Sequence, residues 1–170
     1  ADSHVAVPRD ERTFEEIMMQ DVVPFERMVG HGLAAVMTAH VIYEKVDRQP
    51  ATFSSFWIGD VLRGRLGFQG AVFSDDLGMA GASVAGDMVE RAEAALAAGC
   101  DMILLCNNPR EIRRVVDGIA WQESPVVHLR LARMHGRQRP RRGELPADPR
   151  WRQAVERVAR LNDDTAQLPL

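Results

Sequence analysis

The sequence predicts an α/β fold in which short, buried, parallel strands alternate with helices. Three apolar runs, 33–40, 70–75 and 102–106, each stop abruptly at polar residues, as strands buried on both faces do. Each is followed by apolar residues at helical spacing, so the order is strand, helix, strand, helix, strand, helix, joined by right-handed crossovers. The stretch from Gly70 to Asp76 adds a third observation, because it ends in a hydroxyl, Ser74, and two adjacent carboxylates, Asp75 and Asp76. Open sheets and barrels of parallel strands place their sites at that end. Strand alternation puts the two carboxylates on opposite faces, so one of them is expected to face a site.

The elements follow in order. Residues 1–12 are polar with Pro8 and read as a loop. Thr13 with Glu16 forms a capping box, and Ile17, Met18, Val22, Phe25 and Met28 mark the buried stripe of one helix that Gly30 and Gly32 end. Leu33 to His40 is a buried strand, and 41–53 is a loop containing Pro50. Ser54 caps a helix through Phe56, Ile58, Val61 and Leu62, with Arg63 and Arg65 complementing the dipole at its end. After Met79 a glycine-containing linker leads to a helix from Met88 to Ala98, closed by Gly99. The strand Met102 to Cys106 ends in Asn107 and Asn108, and Pro109 opens a helix carrying Ile112, Val115, Val116 and Ile119. Two helices, Pro125 to Met134 and Pro149 to Leu161, close the chain, the second capped by Asp148. The domain division is therefore 1–121, the α/β part, and 122–170, a helical extension expected to pack on it.

Composition narrows the class. With 170 residues, 46% hydrophobic and 26% charged, the chain has enough material for a real core and is not globally disordered. A net charge of -3 gives no electrostatic case for nucleic acid, and the basic run Arg137 to Arg142 reads as a solvated loop. Cys100 and Cys106 suit neither a zinc pattern nor a disulfide framework and read as buried, reduced thiols, consistent with cytosol. The five histidines show no ligand spacing with cysteines or acids, so no metal is expected. No apolar stretch reaches the roughly 20 residues that span a bilayer, and no signal peptide is evident. The chain begins at Ala1 without Met, which leaves a removed upstream segment open.

The groups able to do chemistry sit at loop and strand ends. Asp2-Ser3-His4 places a carboxylate two residues from an imidazole, close enough to orient the ring and hold one tautomer. His40 ends one strand and Asp75 another. Asn107 and Asn108, also at a strand end, read first as turn formers.

Taken together, Asp2-Ser3-His4, the run from Val36 to Tyr43, Asp47 with Pro50-Ala51, the run from Asp60 to Arg63 and the run from Leu66 to Leu77 resemble glycoside hydrolase family 3, specifically its bacterial β-N-acetylglucosaminidases. The likeness continues through 98–104, 106–108 and 147–151. The resemblance implies a (β/α)₈ barrel of which this chain carries the carboxyl-terminal part, with strands like the sixth to eighth. It implies Asp75 as the nucleophile, Asp76 as its support, and His4 as the general acid/base paired with Asp2. His40 and Met79 fall at the same rim and are expected to line the sugar pocket with Asp76. The family's Lys-His pair, on its fifth strand, is not in this chain, so the chain alone is expected to be inactive.

The implied reaction is removal of terminal β-linked N-acetylglucosamine from muropeptide fragments in cytoplasmic cell-wall recycling, through a glycosyl-Asp75 intermediate. It needs no cofactor. The expected partner is the carbohydrate, with no nucleic acid and no membrane, and the full-length protein is expected to be a monomer. Phosphorolysis is a variant, because an imidazole repels phosphate less than a carboxylate does. The competing reading is a non-catalytic, three-stranded α/β binding module whose acids only cap helices; a nucleotide-binding Rossmann unit is disfavoured, since no strand is followed by G-x-G-x-x-G.

Overall fold

A computed structural model describes residues 2–120, 122, 124–136, 141 and 143–165. Most of the basic run 137–142 lies outside these residues. The chain divides into two compact units between Met134 and His135. The first carries the parallel strands and ends at Met134, not at the expected boundary of 121. Among the described residues the second contains a 3₁₀ turn, Leu145–Ala147, and a helix, α6 (Pro149–Thr165). The Asp148 carboxylate accepts the Arg150 amide (2.8 Å) at the start of α6, as a capping acid does.

Two parallel sheets form the first unit. The larger has the order β2 (Ala35–Met37), β4 (Ala71–Asp76), β5 (Met102–Leu104), with β4 in the centre. These are the three strands expected from the apolar runs, with β2 and β5 shorter than the runs that announce them. Val36 lies abreast of Val72, and Phe73 abreast of both Met37 and Met102. The smaller sheet pairs β1 (Arg9–Asp10) with β3 (Ile42–Tyr43), two segments read from the sequence as loop. Two-residue strands are too short for any periodicity to register.

The single helix expected over 13–30 is two, α1 (Phe14–Gln20) and α2 (Val23–Gly30). Pro24 sits in the first turn of α2 and has no N–H to continue the α1 ladder. The Thr13–Glu16 capping box is present. The buried stripe is not: Ile17 is buried, but Phe25 is 46% and Met28 42% exposed. Val22 and Phe25 instead line a shallow apolar groove of about 160 Å³ with Val36, Met37, Trp57 and Leu62, along the edge of β2.

The segment Phe56–Arg65 is a wide, π-type helix. Ser54 caps it as expected, its hydroxyl accepting the Trp57 amide (3.0 Å). Phe14, Tyr43 and Phe56 surround the Trp57 ring with centroids 4.9–5.8 Å away, joining α1, β3 and this helix. Helix α3 (Met88–Ala98) begins at an Asp87–Glu90 capping box and ends at Gly99, whose φ of 112° is left-handed. Helix α4 (Pro109–Gly118) is capped by Asn108. The core between these helices and the sheet contains Ile58, Phe68, Val72, Leu77, Ala92, Ala95 and Val115. The alanines of α3 let it approach the sheet closely, which bulkier residues would prevent.

Two expectations need correction. Cys100 is buried, and burial pushes its thiol up to about 12, but Cys106 is exposed. Arg63 does more than complement a dipole. It donates to Phe68 O (3.1 Å) and Gly70 O (2.6 Å) and pairs with the buried carboxylate of Asp101 at 2.7 Å. Arg130, on α5 (Pro125–Ala132), takes the other oxygen at 2.7 Å, so α5 belongs to the first unit.

Asp101→Ala leaves two guanidinium groups and the Val72 amide without their acceptor. Urea unfolding of the variant is expected to show a loss of about 3–5 kcal/mol, against about 1 kcal/mol for the helix-capping change Asp87→Ala. A loss at Asp101 no larger than at Asp87 contradicts the central place given to this carboxylate.

Candidate active site

The site is built at the carboxyl ends of β4 and β5. Ser74 is fully buried, and its hydroxyl accepts the Leu104 amide (2.9 Å), fastening the two strands together just before they end. Between Phe73 and Asp76 the β4–β5 register slips: three steps along β4 match two along β5. Such an irregularity re-aims the side chains that follow it. Simple alternation therefore stops being a guide at the two carboxylates.

Asp76 is the bracing acid. Its Oδ1 accepts the amides of Gly78 (2.9 Å) and Cys106 (3.2 Å), tying the turn after β4 to the segment after β5. Its backbone carbonyl accepts the Met79 amide (3.1 Å) and the His40 Nε2–H (3.0 Å). Asp75 is half-buried, with Oδ1 accepting the Asp76 amide (2.8 Å). The Cys106 thiol is raised above its ordinary value, first by desolvation and then by the Asp76 carboxylate, to which it hydrogen-bonds.

Asp2 and His4 form the expected pair. One Asp2 oxygen accepts both the His4 amide (2.9 Å) and the ring Nδ1–H (2.8 Å), and both side chains are largely exposed. These two bonds, the amide first, hold the Asp2 carboxyl below the usual carboxylate range. Because Nδ1 is engaged, Nε2 is the ring nitrogen left for proton exchange with a ligand.

A cleft of about 370 Å³ brings part of the predicted set together: His4, Asp76 and Met79 line it, with Cys106, Asn107 and Asn108. Asp75 is not on its wall. His40 is corrected more firmly. It is completely buried, stacked on Phe53 at 5.8 Å, and bonded to the Asp76 carbonyl, so it holds the end of β4 from behind and meets no solvent. Asn108 is a helix cap, and Asn107 takes a left-handed φ of 60°, which Asn tolerates better than most residues. Both are turn formers, as the sequence suggested. Sequence reasoning missed Gly78 and Cys106 as partners of Asp76; a glycine two residues after an Asp is the signal for the first.

The family model described as the glycosyl hydrolase family 3 N terminal domain matches residues 1–134. The chain belongs to this family. A β-hexosaminidase from Nitrosospira multiformis is 50% identical over 171 residues, covering all of this chain and 49% of that protein. One from Thioalkalivibrio sulfidiphilus is 51% identical over 162 residues, covering 95% and 46%. Among solved structures, NagZ from Neisseria gonorrhoeae in complex with N-trifluoroacetyl-D-glucosamine superposes with a TM-score of 0.73 at 39% identity, covering 82% of this chain and 39% of that one. The chain thus spans about half the length of the curated relatives it matches. No described helix of this family 3 chain is long and apolar enough to cross a membrane.

The depressed Asp2 carboxyl sets a pH dependence for the loop. Its hydrogen bonds are fully present above the ordinary aspartate range and are lost as pH falls through the lowered folded-state value. Carbon-detected NMR titration is expected to find Asp2 titrating below the ordinary aspartate range, with the His4 amide shifting in step with the Asp2 carboxyl; an amide that does not follow the carboxyl contradicts the pairing.

Proposed function

We propose that this chain is the carboxyl-terminal part of a (β/α)₈ barrel and carries the catalytic groups of a retaining β-N-acetylhexosaminidase. The observation that carries the reading is the Asp2–His4 pair, bonded at 2.8 Å, whose His4 lines one cleft with Asp76 at the end of the strand that also presents Asp75. Support for the barrel comes from the parallel sheet, in which β2 and β5 each have one strand neighbour among the described residues, and from the exposed apolar groove along β2. A sheet with such edges suits a larger closed structure better than an isolated domain.

In this reading Asp75 attacks the anomeric carbon of a β-linked N-acetylglucosamine while His4, as imidazolium, gives its Nε2 proton to the departing oxygen. The C–O bond to the aglycone breaks as the bond to Asp75 forms, through an oxocarbenium-like transition state. His4 then takes a proton from water, whose oxygen displaces Asp75 from the sugar and completes the second inversion. Asp2 holds the ring tautomer and stabilises the imidazolium. Asp76, committed to two amides, holds the turn that follows the nucleophile. The similarity to β-hexosaminidases, and to a NagZ structure in complex with N-trifluoroacetyl-D-glucosamine, supports a substrate class of N-acetylglucosamine-containing glycans. Muropeptides, a cytoplasmic recycling role and a monomeric full-length protein complete the proposal.

Purified alone, the chain is expected to hydrolyse an aryl β-N-acetylglucosaminide negligibly. With the remaining half of the barrel supplied, a 2-fluoro sugar is expected to label Asp75, and His4→Ala to slow substrates with poor leaving groups by about 10²–10⁴-fold. Labelling of Asp76 removes the assignment of the nucleophile. A rate that rises with added phosphate assigns phosphorolysis in place of hydrolysis.

A further inference from the structure

We propose that Gly81 is a positioning residue that ties the Asp2–His4 loop to the segment following β4, with the buried His40 as the wall it bears against. The inference rests on the reading of Asp2 and His4 as the acid/base pair. It concerns how that pair is held in place, which neither the motif nor the family match addresses.

Gly81 lies in the 3₁₀ segment Ala80–Ala85, fully covered, and its amide donates to the carbonyl of Ser3 at 3.0 Å. Ser3 is the residue between Asp2 and His4. It is half-buried, while Asp2, His4, Val5 and Ala6 around it are exposed. Among the described residues this is the backbone hydrogen bond that ties the loop to the rest of the fold before Pro8, whose carbonyl accepts the Ile42 amide; the bonds of Val5 and Ala6 to Asp2 O close the loop only on itself. Gly81 needs its missing side chain for space. A Cβ there would lie 2.8 Å from the His40 Cβ and 3.2 Å from the Ser3 carbonyl oxygen. His40 cannot retreat, because its ring is buried against Phe53 and its Nε2 is bonded to the Asp76 carbonyl. The compliant neighbour is the Ser3 carbonyl, so any atom added at Gly81 pushes the loop outward. One rigid chain of contacts therefore runs from the end of the strand bearing Asp75, through His40 and Gly81, to the residue between Asp2 and His4.

The test uses this 170-residue chain and reads no activity. In the unsubstituted protein, a scalar coupling across the hydrogen bond from the Gly81 amide to the Ser3 carbonyl is expected, with a Gly81 amide protected from exchange. In Gly81→Ala the His4 ring resonances are expected to move and the Val5 and Ala6 amides to exchange about tenfold faster, while Val72 and Leu104, in the sheet, keep their protection. Gly59→Ala, where an added Cβ meets nothing within 4 Å, is expected to change none of these. No coupling in the unsubstituted chain, or an unmoved His4 in a folded Gly81→Ala, overturns the proposal; if Gly81→Ala does not fold, the coupling alone decides. His4→Ala kinetics test the acid/base reading separately, so the failure of one is not mistaken for failure of the other.

Discussion

The carboxylate of Asp101 is the fixed point from which the first unit is built. Its side chain is 1% exposed and gathers the Val72 amide at 2.8 Å and the guanidinium groups of Arg63 and Arg130 at 2.7 Å each. Its own amide donates to Val72 O at 2.8 Å. Four elements meet there: the starts of β4 and β5, the π-type helix through Arg63, and α5 through Arg130. Desolvation lowers the Arg63 guanidinium and the Asp101 charge opposes that shift, as expected for an ion pair whose burial is compensated by its partner. Such a pair contributes less as net stability than as a constraint on geometry, since any arrangement that separates the partners strands a buried charge.

With the amino ends of β4 and β5 held in this way, their carboxyl ends can carry groups that do not contribute to the core. The division of labour among three consecutive residues is clear. Ser74 is spent on the Leu104 amide and Asp76 on the amides of Gly78 and Cys106. Among the described residues Asp75 has only the amide of its neighbour. A nucleophilic carboxylate has to keep a lone pair available, and the acid with fewer structural obligations is the better placed to do so. The cleft wall holds Asp76 and not Asp75.

His40 and Met28 show how a correct reading of type can fail on placement. His40 does stand at the rim end of its strand, but its ring turns inward, where the Asp76 carbonyl and the Phe53 face give a buried imidazole a partner and a stack. Met28 and Phe25 do lie on one face of a helix, but the described residues leave that face nearly half exposed. Periodicity reports which residues share a face and is silent on what covers that face.

The order of the three strands of the larger sheet, the Thr13 cap, the left-handed Gly99, and the pairing of Asp2 with His4 are legible in the sequence, because each depends on residues within a short local stretch, whereas the two-residue strands β1 and β3 and the break between α1 and α2 are not. The order and spacing of its motifs also carried the family. What only the tertiary structure decided is long-range: the Arg63–Asp101–Arg130 cluster, the slipped register that re-aims Asp75 and Asp76, the inward turn of His40, and the contact of Gly81 with Ser3. These join residues 29 to 78 positions apart or rest on a strand pairing, and neither local propensity nor periodicity encodes which distant partner a side chain will meet.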